Sequence, residues 1–222
     1  MKKTLAAALA AGMMLLAPAG QDALTKDAFA QNAQAQGTPA EAISAYNRGE
    51  YAKARTRAAP LAEAGNAEAM LVMGRLADNG VGQPQDPAEA ARWYRKAADA
   101  GSAEGMLRMA YCCRTGSGMP KDEGQWLSWT EKAAQAGNAE AQLNLANQLM
   151  RGGIVQKDPR NAFQWGLQAA SQGYGPAMIF VGSCYAAGAG TDRDDALAAQ
   201  WYARAEQLGL KPDGSVFVPA KQ

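Results

Sequence analysis

The chain has 222 residues, with 22 Lys and Arg against 21 Asp and Glu, no histidine and three cysteines. A near-neutral balance without a basic stripe argues against nucleic acid or another polyanion as partner. Without histidine there is no Ser-His-Asp or Cys-His nucleophile, and the commonest zinc ligand sets are excluded.

Lys2 and Lys3 precede a short apolar run, Leu5 to Ala17, that ends in Ala17-Pro18-Ala19. This is the pattern of an export signal, and the run is too short for a stable bilayer anchor. Cleavage is expected after Ala19. Ala28-Phe29-Ala30 is a second candidate, but Asp22, Lys26 and Asp27 separate it from the apolar run. No cysteine follows the run, which argues against a lipid anchor. Residues 1–19 are read as a signal peptide and the product as periplasmic or secreted. No later run is long enough to cross a membrane, so no stable membrane insertion is expected. Residues 20–37, rich in Ala, Gln and Asn, read as a flexible leader.

Helical patterning begins at Thr38. Ala42, Ile43 and Tyr46 share a face, Asn47-Arg48-Gly49 ends the turn, and Tyr51 to Ala64 forms a second helical stretch. Residues 38–65 are therefore a shorter helical hairpin, a half or capping repeat. Gly65, Gly101, Gly137, Gly173 and Gly209 then follow at a constant spacing of 36 residues. Such a period marks one supersecondary unit copied in tandem. The units are 66–101, 102–137, 138–173 and 174–209, and positions are numbered 1 to 36 within each. Position 15 is always glycine (Gly80, Gly116, Gly152, Gly188), suited to a left-handed helix end. Position 21 is always aspartate (Asp86, Asp122, Asp158, Asp194), a helix N-cap, twice followed by proline. Position 28 is always tryptophan (Trp93, Trp129, Trp165, Trp201) and reads as core. Positions 5, 8, 9 and 12 form the apolar stripe of a first helix, and positions 25, 28, 29 and 32 that of a second. Position 9 is always small: Gly74, Ala110, Ala146 and Gly182. Asn66, Ser102 and Asn138 cap the first helices. Tyr174 breaks that rule, and Pro176 is expected to help start the helix there. The tail 210–222 follows a stop at Lys211-Pro212-Asp213-Gly214, with Ser215–Val218 extended or loose.

A hairpin of this size has too small a core to fold alone, so the units must stack. The expected fold is all-α, an α-α superhelix of about four and a half helical-hairpin repeats. Cys112, Cys113 and Cys184 read as buried small apolar residues. Adjacent Cys112 and Cys113 are poorly placed to bridge, and Cys112 and Cys184 lie two units apart. The Gly-x-Gly loops (Gly80-Val81-Gly82, Gly116-Ser117-Gly118, Gly188-Ala189-Gly190) each follow a helix and lack a third glycine, so they read as helix ends, not phosphate loops.

The small residue at position 9, the Gly-x-Gly loop, the aspartate and the ending Trp93-Tyr94-Arg95-Lys96-Ala97-Ala98-Asp99-Ala100-Gly101 resemble the Sel-one-like repeat (SLR) family, relatives of the tetratricopeptide repeats. The resemblance covers residues 66–209. Departures are Gly152-Gly153 and Gly166 in the third unit, and Thr130 with an additional Trp126 in the second, and these are expected to weaken local packing. The resemblance implies a right-handed α-solenoid serving as a protein-interaction scaffold, with exported members that bind sensor-kinase ectodomains or act in host contact. Exported relatives with paired cysteines in every repeat have been linked to penicillin binding or hydrolysis. This chain lacks those pairs and any Ser-x-x-Lys.

In related solenoids the first helices line the concave face. Positions 10, 13 and 14 should then face the groove. These are Arg75, Asp78 and Asn79; Tyr111, Arg114 and Thr115; Asn147, Met150 and Arg151; and Ser183. Tyr and Arg are favoured contact residues. A groove of Tyr111, Arg114, Met150 and Arg151 suits a peptide with acidic and apolar groups. The leading expectation is a non-catalytic, monomeric adaptor without a cofactor or metal, bound to a protein or peptide. The alternatives are a cell-wall-fragment or β-lactam-interacting hydrolase, and a secreted effector that binds host proteins.

Overall fold

The computed structural model describes residues 37–211. The chain divides into residues 1–37 and 38–222. The expected signal peptide, its cleavage sites, the leader before Gly37, and the tail beyond Lys211 lie outside the described residues.

Ten α-helices and no strand occur among the described residues. They are α1 (Pro39–Asn47), α2 (Tyr51–Glu63), α3 (Ala67–Asn79), α4 (Pro87–Asp99), α5 (Ala103–Thr115), α6 (Glu123–Gln135), α7 (Ala139–Arg151), α8 (Pro159–Ser171), α9 (Gly175–Ala187) and α10 (Asp195–Gln207). Every helix from α2 onward has 13 residues. Each packs against the helix before it and the helix after it, so the chain is an all-α solenoid.

Local chemistry sets the helix ends. Asn66, Ser102 and Asn138 accept from the backbone N–H of Ala69, Gly105 and Ala141. Asp86, Asp122, Asp158 and Asp194 accept from Glu89, Gln125, Asn161 and Leu197. Each such bond satisfies an orphan donor of the first turn. Tyr174 makes no side-chain cap, and Pro176 lies in the first turn of α9. The backbone N–H of each aspartate also donates to the position-12 carbonyl: Asp86 to Ala77 (3.0 Å), Asp122 to Cys113 (2.9 Å), Asp158 to Leu149 (2.8 Å) and Asp194 to Tyr185 (3.0 Å). This bond closes every hairpin. Gly80, Gly116 and Gly188 end their helices left-handed. Gly152 does not: its φ is 78° but its ψ is −167°, because Gly153 follows and also takes a positive φ.

The core runs along the stack as alanines at close helix crossings and larger groups between them. All three cysteines are buried and free. Burial pushes the Cys112 thiol up to about 11 and the Cys184 thiol up to about 12. α9 is buried on nearly every side, from Ala177 to Cys184.

At positions 9, 25 and 29 the departures in the second and third units exchange volume between neighbours. In the first unit Tyr94, at position 29, lies on Gly74, where an added Cβ would be 2.5 Å from Tyr94 Cε1. Gly182 carries Tyr202 in the same way, at 2.6 Å. Where position 9 is Ala, no tyrosine fits. The second unit pairs Ala110 with Thr130, whose hydroxyl donates to the Trp126 carbonyl at 2.8 Å. Trp126, standing where other units have alanine, is buried in the same core cluster as Ala110. The third unit pairs Ala146 with Gly166, and Phe180 of the next repeat occupies the vacancy against Gly166. Close-packed interiors demand such compensation.

Candidate protein-interaction face

The first helices approach one another directly, α1 to α3, α3 to α5 and α7 to α9. No two second helices make a comparable approach among the described residues. The first helices therefore form the inner side at these pairs, and the predicted groove residues belong to these helices.

Polar bonds brace neighbouring first helices along this side. Tyr46 Oη accepts from Asn79 Nδ2 at 2.6 Å. Glu104 is held by Arg108 at 2.7 Å, lies 3.5 Å from Arg75 and accepts weakly from Asn138 at 3.4 Å. Tyr111 donates its phenol to Glu140. Its pKa is raised, by burial first and by this bond second. Two of the three junctions between full repeats follow one rule: position 10 of one repeat meets the glutamate at position 3 of the next. It fails once. Asn147 would meet position 3 of the last repeat, which is Pro176, and Asn147 has no side-chain partner among the described residues.

The predicted groove residues thus have different fates. Arg75 and Tyr111 are half-buried braces. Asp78 is half-buried and accepts from Tyr94 Oη at 3.3 Å. Asn147 is half-buried, and Thr115 is exposed with its hydroxyl on the Tyr111 carbonyl. Two expectations are corrected. Met150 is 1% exposed and joins the core beside Phe163 and Phe180, because a flexible apolar side chain at position 13 folds inward instead of facing water. Ser183 is buried, its hydroxyl donating to the Ile179 carbonyl at 3.0 Å and lying 3.1 Å from Tyr202 Oη.

Arg114 stands out. It is exposed, and its guanidinium lies 4.9 Å from the Tyr111 ring and 6.0 Å from the Trp126 ring. No carboxylate pairs with it among the described residues. A guanidinium held against aromatic rings is preorganised, with its N–H edge open. Arg151 is also exposed but has a partner. On the second helices, cations lie over three of the four repeat tryptophans: Lys96 on Trp93 (4.3 Å), Lys132 on Trp129 (4.4 Å) and Arg204 on Trp201 (4.6 Å). Trp93 and Trp201 are wedges between core and solvent, whereas Trp129 is buried.

Reasoning from the sequence missed Glu104, Glu140 and Trp126. The signal for the glutamates was present: position 3 is Glu in three units, 29 residues after position 10 of the unit before. No group of three or more His, Cys, Asp or Glu among the described residues is placed to hold a metal, and no described helix is long and apolar enough to cross a membrane.

Stacked hairpins with braced first helices and one poised arginine define a helical repeat scaffold of the protein-interaction type. The Sel1 repeat model matches residues 67–102, 103–138, 139–174 and 175–210. The chain belongs to the Sel1 repeat family. It is similar to the crystal structure of a Sel1 repeat protein from Oxalobacter formigenes, with 31% identity, a TM-score of 0.71, and coverage of 78% of this chain and 71% of that one. It is also similar to c5321, a protective antigen with an SLR fold in uropathogenic Escherichia coli strains, with 30% identity and a TM-score of 0.64. That match covers 71% of this chain and 34% of the antigen, so the likeness spans about a third of its length. A Sel1 repeat protein of Klebsiella pneumoniae, 22% identical with a TM-score of 0.51, shares the fold over 82% of this chain and 90% of that one. None of the curated proteins compared with the chain matches it.

Proposed function

We propose that this protein is an exported, non-catalytic adaptor that holds an envelope or extracellular protein against its first-helix face. One observation carries the reading: Arg114 is exposed, stacked on Tyr111 and Trp126, and without a carboxylate partner among the described residues. The position-10 residues Arg75 and Tyr111 brace the scaffold, so they fix the spacing of the face as well as contributing to it. Destination rests on the basic, apolar and small-residue pattern of residues 1–19.

The test is in-cell crosslinking of tagged protein, recovery from the exported fraction, and mass spectrometry. A stoichiometric envelope or extracellular partner is expected. Arg114→Glu combined with Arg151→Glu should abolish capture without changing helical content. Undiminished capture by this folded variant rejects the face. A tagged protein confined to the cytosol rejects export.

A further inference from the structure

The junction between the second and third repeats lacks the close glycine seat of the junctions on either side of it. In the second and fourth repeats the position-17 glycine seats against the start of the preceding second helix. A Cβ at Gly118 would lie well inside contact distance of the Pro87 carbonyl oxygen, and one at Gly190 would do the same at Pro159. Only glycine fits this seat. The third repeat has Ile154 there. Its side chain cannot enter, so it turns outward and is 45% exposed. Beneath, the first turn of α6 is open: a Cβ on Gly124 would meet nothing but Asp122. The same turn ends in Trp126, whose ring flanks Arg114.

By equivalence with Gly118 and Gly190, Ile154 stands over the first turn of α6, the turn that also carries the Trp126 ring flanking Arg114. The local charge is net basic. Segments 114–125 and 150–160 hold five basic residues against three acidic ones, and two of those acids, Asp122 and Asp158, are occupied as helix caps. Lys121 and Lys157 leave the field there favourable to a carboxylate.

We propose that this junction docks a short acidic peptide segment of a partner protein, an Asp or Glu side chain on Arg114 and a neighbouring apolar side chain on Ile154. The inference rests on the scaffold reading and specifies its ligand chemistry. A planar guanidinium receives a carboxylate with two parallel N–H bonds, and backing by aromatic rings lowers the entropy lost in doing so.

The experiment is selection of a random-peptide display library on the full chain. The recovered consensus is then synthesised with a fluorescent label, and its affinity is measured by anisotropy at low and physiological salt. The expected consensus pairs Asp or Glu with an apolar residue, and its binding weakens with salt. Arg114→Gln should weaken it at least about tenfold, and Ile154→Ser several-fold. Arg204→Gln, on the last second helix, should leave it unchanged. A consensus without acids, indifference to both Arg114→Gln and Ile154→Ser, or recovery of no peptide overturns the proposal. If those same two single variants still crosslink the cellular partner, this site falls while the adaptor reading stands. If neither peptide nor partner is found, both fall.

Discussion

Gly74→Ala separates a packing requirement from a helix propensity. Gly74 sits inside α3, where alanine would favour the helix by about 0.5–1 kcal/mol through backbone entropy alone. Against this, the new Cβ would lie 2.5 Å from Tyr94 Cε1 and 2.7 Å from Cδ1. Tyr94 is 2% exposed, and its hydroxyl donates to Asp78 at 3.3 Å, so the ring has little room to retreat. Overpacking of this kind costs about 1–3 kcal/mol. The net expectation is destabilisation by about 1–2 kcal/mol, a fall in Tm of about 2–8 °C for a domain of this size. Urea unfolding followed by far-ultraviolet circular dichroism measures it. The decisive comparison is made in a Tyr94→Thr, Ala90→Trp background, which copies the pairing of Ala110, Thr130 and Trp126 in the second repeat. There Gly74→Ala should become neutral or stabilising by up to about 1 kcal/mol. Stabilisation in the native background, or equal destabilisation in both, would refute the exchange of volume between positions 9 and 29.

Three further outcomes follow from the geometry. Gly118→Ala and Gly190→Ala should each cost more than Gly101→Ala: all three have positive φ, but only the first two meet a neighbouring carbonyl, so thermal unfolding should show Gly101→Ala losing about 1 kcal/mol and the others clearly more. Asn147→Arg with Pro176→Glu should install the missing brace and raise the urea midpoint slightly, by about 0.2–1 kcal/mol in stability, whereas either change alone should give no such gain. The thiols of Cys112, Cys113 and Cys184 all have raised pKa values, so a thiol reagent at pH 8 should label native protein slowly and all three groups quickly in urea. The sign is fixed by the neutral form being the favoured buried one. Stability from Cys112 and Cys184 is complete below the ordinary thiol value and is lost as pH rises from about 9 through about 11 and about 12.

Much of the candidate face was legible before any packing was known, but its chemistry was not. Position 10 was assigned to the groove; that Arg75 and Tyr111 are spent as braces to the next first helix depends on glutamates 29 residues away. Arg114 and Met150 share position 13, yet one is exposed on aromatic rings and the other is buried. Helical spacing gives a direction from the axis, and the neighbouring repeat decides whether that direction leads to water.

The sequence by itself determined what acts within a few residues: the 36-residue period, the Asn, Ser and Asp caps, the positive-φ glycines, and the hairpin as the unit. These depend on local hydrogen bonds and on backbone sterics, which a short window of residues contains. Tertiary structure alone decided how Gly74 receives Tyr94, how Phe180 fills the space at Gly166, and why Gly118 and Gly190 seat against a neighbouring carbonyl where Ile154 stands exposed. Those outcomes turn on volume shared between helices, and shared volume belongs to no single segment of the chain.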